Sequence, residues 1–98
     1  MSVTAVSFYR GGSLDQILPL AKRMNAILDR YGVSYRVSRL DAAEDLGDWL
    51  VVVRYADRAH YEAALNSFAA DPEHSGAVAD ISKVTSLVRR VMAEDLDL

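Results

Sequence analysis

The chain has 98 residues, a net charge of -3 at neutral pH, 51% hydrophobic residues and 26% charged ones, the profile of one ordinary globular domain. Its acidic balance, with an isoelectric point near 5.2, argues against a general nucleic-acid binder, which needs a basic stripe. With no cysteine, a disulfide framework, a thiolate zinc site, a thiol nucleophile and an iron–sulfur cluster are excluded.

Met1 to Ala5 shows no basic stretch leading into an apolar run, so no secretory signal is expected. No apolar segment approaches the roughly 20 residues that span a bilayer. The cytoplasm is therefore the expected location, with neither membrane nor nucleic acid as a partner.

In chain order, Val3 to Arg10 alternates in character and is rich in β-formers, which predicts a strand ended by Gly11-Gly12. Ser13 and Gln16 fit a capping box and open a helix. Its buried stripe is Leu14, Ile17, Leu18, Ala21, Met24, Leu28 and Tyr31. Pro19 inside this stripe either kinks the first turns or marks where the regular helix begins. Gly32 is placed to cap its C-terminus. Val33 to Leu40 predicts a second strand, and the acidic stretch Asp41 to Asp48 a hairpin connection. Trp49 to Ala56 is the third strand; its continuous apolar run predicts burial on both faces. Asp57 caps a second helix, about Arg58 to Ala70, with Tyr61, Ala64, Leu65 and Phe68 inward. Asp71-Pro72 breaks it and restarts a short helix anchored by Val78 and Ile81. Thr85 to Met92 is the last strand.

This order predicts an α+β, ferredoxin-like βαββαβ fold. Residues 1–98 form a single domain, a four-stranded antiparallel sheet with its helices on one face. The other face is then bare and needs a cover.

The strands carry many arginines: Arg10, Arg36, Arg39, Arg54, Arg89 and Arg90. Arg54 interrupts an otherwise apolar strand. Alternation sets Leu50, Val52 and Arg54 against Trp49, Val51, Val53 and Tyr55, and the aromatic set is the one expected under the helices. Arg54 then lies on the open face, with Arg36 and, by the same reading, Arg90 beside it. Guanidinium groups over a half-apolar sheet suit a carboxylate or a phenolate. Each of these arginines could instead pair with an acid such as Asp41, Glu44 or Asp48, or reach water at a strand end, which is the more ordinary arrangement. His60 and His74 lack metal-ligand spacing; His74, after the helix restart, is the better candidate base. Tyr9, Tyr35, Tyr55 and Trp49 could stack on a flat ring or fill core. No nucleophile elbow, phosphate loop or calcium loop is present.

Three segments carry a family resemblance: the strand Trp49 to Tyr55, the helix Asp57-Arg58-Ala59-His60-Tyr61-Glu62-Ala63-Ala64-Leu65, and Asp71-Pro72-Glu73-His74. Together they resemble the dimeric α/β-barrel superfamily of antibiotic-biosynthesis monooxygenase-like, EthD-like and NIPSNAP-like small proteins. The resemblance implies two sheets packed back to back across a two-fold axis, which would cover the bare face. It also implies activities that include cofactor-free oxygenation of phenolic polycycles, haem degradation and isomerisation. The haem-degrading pattern needs an asparagine on the first strand and a tryptophan on the second helix. Here those regions offer Thr4 and Ser7, and Ala63 and Ala64, so haem degradation is not expected.

The resulting expectation is a homodimeric barrel that binds a small aromatic or anionic molecule and has monooxygenase-like chemistry. His74 is the catalytic candidate; Arg36, Arg54, Trp49 and Tyr9 are the ligand contacts; no metal or cofactor is called for. The alternative is a non-catalytic dimeric module that regulates or scaffolds a partner. The interior separates them: an arginine-lined pocket favours the first, a fully packed chamber the second.

Overall fold

Seven elements follow one another: β1 Val3–Arg10, α1 Leu14–Asp29, β2 Ser34–Arg39, β3 Trp49–Tyr55, α2 Arg58–Ala69, α3 Pro72–Val84 and β4 Ser86–Glu94. The computed structural model describes residues 1–98. The strands form one sheet in the order β2-β3-β1-β4, with every neighbouring pair antiparallel. This is the ferredoxin-like plan, with its second helical segment divided in two. No helix is long and apolar enough to cross a membrane.

Local chemistry sets the helix boundaries. The Ser13 hydroxyl accepts from the Gln16 N–H at 3.3 Å, and Gln16 Oε1 accepts from the Ser13 N–H at 2.9 Å. Two orphan donors of the first turn are thereby satisfied. The regular helix begins ahead of Pro19 and runs through it. At the other end Gly32 takes φ +68°. The Val33 N–H then reaches the Leu28 carbonyl, and the Gly32 N–H that of Asp29, both at 3.1 Å, a Schellman closure. Asp71 restarts the chain as α3, its carboxylate accepting from the Glu73 N–H at 2.9 Å with Pro72 in the first turn. α3 is 13 residues long, not the short piece expected. Ala77, Val78 and Ile81 keep helical spacing through to Val84, and Ala77 is fully buried.

Register assigns the faces. Ala5, Ser7 and Tyr9 of β1 lie under the helices with Tyr35 and Val37, Trp49, Val51, Val53 and Tyr55, and Arg90 and Met92. The open face carries Val6, Phe8, Leu50, Val52 and Val91, flanked by Arg36, Arg54 and Arg89. Arg90 therefore does not join Arg36 and Arg54, contrary to the expectation from alternation. β4 is bulged where its pairing shifts between Phe8 and Tyr9, and beyond the bulge Arg90 falls opposite Ser7 on the helix side. A single inserted residue changes which side chains share a face.

The core joins Val3 and Tyr55 at one end of the sheet to Met24, Ile27, Leu28, Val33, Ala64, Phe68 and Ala77. Only 14 of 98 residues are buried, because one sheet face is bare and part of the other is hollow. Leu50 and Val52, on the open face of β3, are half-buried in the single chain.

Gly47 and Gly32 both have positive φ, but a Cβ on Gly47 would sit 2.5 Å from the Tyr9 carbonyl oxygen, whereas one on Gly32 meets nothing closer than 3.9 Å. Both alanine variants incur backbone strain of about 1 kcal/mol. In urea titrations Gly47→Ala is expected to lose clearly more stability than Gly32→Ala. Equal losses would show that the loop absorbs the clash.

Candidate functional site

β1, next to the centre of the sheet, turns Ala5 and Ser7 toward the helices along its middle, and α1 answers with Ala21. Such short side chains do not fill the space between the layers. A cavity of about 320 Å³ results, and 19 of its 24 lining residues are hydrophobic. That volume lies within the range of small-molecule sites, about 300–1,000 Å³. Trp49 and Tyr55 stand at the two ends of the β3 stretch, and Ile17, Met24, Leu28, Phe68 and Ile81 contribute to the roof. The exposed lining residues are Leu65, Val78, Ser82, Arg90 and Met92. They place the mouth between α2, α3 and the edge strand β4.

Arg90 is the one charged side chain in the lining. Its Nε donates to the Ser7 hydroxyl at 2.9 Å, and a terminal nitrogen donates to the Tyr9 phenol oxygen at 3.1 Å. No carboxylate pairs with it, although Arg23, Arg30, Arg54 and Arg58 all have acidic partners. Two neutral acceptors fix its direction and leave its charge and remaining donors for an anion.

Around this cation the walls are aromatic. Tyr55 meets Tyr61 edge to face at 4.9 Å. The His74 imidazole stacks on Phe68, with ring centres 4.4 Å apart and planes 2° from parallel. Trp49 is fixed by its indole N–H, which donates to the Gly11 carbonyl at 2.9 Å, and by the Arg39 guanidinium 5.9 Å from its ring centre. Burial pushes the Tyr35 phenol up to about 12, with the Tyr9 phenol adding to the effect. Burial also raises Tyr55, with Tyr61 adding and Arg90 opposing. Both therefore stay protonated near neutrality. His74 is lowered from its ordinary value by burial, against the opposing pull of the Asp71 carboxylate. A neutral imidazole in the wall can accept a proton.

The structure brings Tyr9, Trp49 and His74 to one cavity. Arg36 and Arg54 are on the opposite face of the sheet, where Arg54 pairs with Asp95 at 3.0 Å. Arg90 supplies the cation within the cavity. His60 lies outside it: Nδ1 accepts from the Ala56 N–H at 2.9 Å, so Nε2 carries the proton to the Tyr31 carbonyl at 2.8 Å. That ring ties α2 to the end of α1. No three histidine or acidic side chains converge as metal ligands would. Sequence reasoning missed the helix-side position of Arg90 and its bond to Ser7. The available signal was the pair Ala5 and Ser7, too small for the middle of a packed layer.

No family model matches the sequence, and no curated protein matches it. Among solved structures the chain is similar to SnoaB, a cofactor-independent oxygenase from Streptomyces nogalater. The TM-score is 0.72 at 14% identity, over 99% of this chain and 95% of that one. An EthD family protein from Bacillus halodurans gives 0.58 at 17% identity, over 98% and 100%. A dimeric protein of unknown function and ferredoxin-like fold from Bacteroides fragilis gives 0.57 at 10%, over 94% and 92%. At such identities the likeness is one of fold: the chain shares the ferredoxin-like fold of these proteins and of antibiotic biosynthesis monooxygenase-like proteins.

Because His74 is held neutral, the unfolded chain binds its proton first as pH falls. The resulting stability is intact above the ordinary histidine value of about 6.5 and is lost as pH falls through the lower folded value. Melts of the wild type and His74→Gln are therefore expected to differ in their pH slope below about 6.5. An imidazole NMR titration with its midpoint at or above that value would contradict the assignment.

Proposed function

We propose that this chain binds a small, flat aromatic molecule bearing an anionic oxygen, in the cavity between sheet and helices, and oxygenates it without a cofactor. The observation carrying this reading is the Arg90 guanidinium, held by Ser7 and Tyr9 and unpaired with any acid, in a cavity that is mostly apolar. An aromatic body suits the Trp49, Tyr55 and Phe68 walls. An ionised phenol or carboxylate suits Arg90.

The fold of a cofactor-independent oxygenase supports the oxygenase part. A phenol held as its anion is electron-rich. In the proposed reaction a ring carbon bearing hydrogen reacts with O2, one oxygen atom stays on the ring as a quinone carbonyl, and the other leaves as water. The two electrons reducing that second atom come from the substrate. Arg90 favours the phenolate, and His74 accepts the ring-carbon proton. The packed-chamber alternative, a purely regulatory module, has less support, since the cavity is present and contains a polar cluster.

The proposal includes a second copy. Val6, Phe8, Leu50, Val52 and Val91 form an apolar centre on the open sheet face, and Val91 is 41% exposed. Sheet-on-sheet packing of two chains would cover it.

Trp49 is the only tryptophan and lines the cavity, so its fluorescence reports occupancy. Quenching by an aromatic carboxylate or phenolate is expected, with affinity reduced about 10- to 100-fold in Arg90→Gln, the loss typical of a charged hydrogen-bond partner. Ligand-dependent O2 consumption tests turnover, and its loss in Arg90→Gln and His74→Gln is the expected result. Absence of quenching across such compounds would sink the binding reading. For the second copy, light scattering is expected to give twice the chain mass for the wild type and the chain mass for Val52→Glu. A wild-type monomer across a dilution series would reject it.

A further inference from the structure

The cavity has two polar ends. Arg90 is on edge strand β4, but its bonds to Ser7 and Tyr9 draw the guanidinium over β1. Tyr35 is on β2, the opposite edge strand, and faces the same cavity. Two strand spacings separate β1 from β2, about 10 Å. Between them the floor is Ala5, Val51 and Val53.

Four tyrosines line the cavity, and three are already engaged. Tyr9 accepts from Arg90, and Tyr55 and Tyr61 pack on one another. Tyr35 has neither a hydrogen-bonded nor an aromatic partner. The only buried side-chain oxygen or nitrogen left without a partner is Thr4 Oγ1, so the Tyr35 hydroxyl is not sealed among apolar atoms, and the Tyr35 side chain lines the cavity. Burial raises its pKa to about 12 and so keeps the proton on, which makes it a neutral donor near neutral pH.

We infer that Tyr35 is a specificity-determining residue that selects elongated ligands with an oxygen at each end, an anionic one held by Arg90 at the mouth and an accepting one held by the Tyr35 hydroxyl at the far end. The substrate class is thus narrowed from any aromatic anion to a rigid body of one or two fused rings, or slightly more, with oxygens at opposite poles. A ligand with oxygen at the mouth end alone leaves the Tyr35 donor without an acceptor in a desolvated site, which costs affinity. This inference rests on the binding site proposed above, and the test separates the two.

Trp49 quenching is read with two probe pairs, benzoate against 4-hydroxybenzoate and 2-naphthoate against 6-hydroxy-2-naphthoate, on the wild type, Tyr35→Phe and Tyr61→Phe. In the wild type the far-end hydroxyl is expected to tighten binding about 3- to 10-fold in at least one pair, the effect of one neutral hydrogen bond. Tyr35→Phe should erase that gain, binding the unhydroxylated probe at least as tightly as the wild type does, and Tyr61→Phe should preserve it. If benzoate or naphthoate binds through Arg90 but the hydroxyl brings no gain, or Tyr35→Phe leaves the gain intact, the Tyr35 inference is overturned and the binding site stands. If none of the four probes binds, both are overturned.

Discussion

The Arg90 guanidinium is held by two neutral oxygens and no carboxylate, and the organisation of the cavity follows from that. A cation fully enclosed among apolar side chains without a counter-ion would cost far more than two neutral hydrogen bonds return. Its place on the edge strand solves the problem: at the mouth it remains hydrated, while Ser7 and Tyr9 keep it from swinging free. An acid beside it would have satisfied it more cheaply and removed its attraction for an external anion. Glu94, three residues along the chain from Val91, is instead taken by Arg58 at 2.6 Å, and Asp95 by Arg54.

Hollowness has a thermodynamic side. Apolar side chains around unfilled space forgo contacts that a packed core would make. The chain accepts this at its centre, where Ala5, Ser7 and Ala21 meet, and concentrates packing at the Val3–Tyr55 end, where Phe68, Leu28 and Ala64 close together. Polar ties stiffen the rest: Tyr31 donates to Asp71 at 2.6 Å, Arg23 meets Asp80 at 2.5 Å, and His60 bridges to Tyr31. All three fix helices to one another above the cavity, so the roof is held by its own links and does not need a filled floor.

Much of the fold was legible in the sequence because the signals were local. Alternation in Val3 to Arg10, the Ser13–Gln16 box, the Asp71-Pro72 restart and the choice of the Trp49 face as inward all rest on neighbours within a few residues. The site was legible only in part, because it depends on pairing between distant strands. Tyr9 and Trp49 could be assigned to a wall from their own strands. Arg90 could not: its face is set by a bulge in the pairing of β4 with β1, and no residue near Arg90 announces that bulge. Arg36 and Arg54 drew notice as charges in apolar strands, yet that pattern marks the open face as well as a site. The length of α3 was underestimated for a related reason, since Gly76 weakens its helical signal while tertiary packing of Ala77 sustains it.

The protonation states in the cavity constrain any chemistry performed there. Tyr35 and Tyr55, raised by burial, keep their protons near neutrality. His74 is the lining group able to exchange a proton near neutrality, and its neutral form is the one the site favours. A cavity so equipped supplies little driving force of its own for electron transfer to O2. Under the proposed function it would supply a lowered proton affinity in a bound phenol, through the fixed cation, and aromatic walls for the ring to pack against. The reactivity must then come from the ligand. An unactivated ring would bind and do nothing, whereas an electron-rich phenolate would react once its charge and orientation were fixed. On the proposed function, binding selectivity and catalytic selectivity would therefore depend on different features of the ligand: its polar ends would decide entry and its ring electronics turnover.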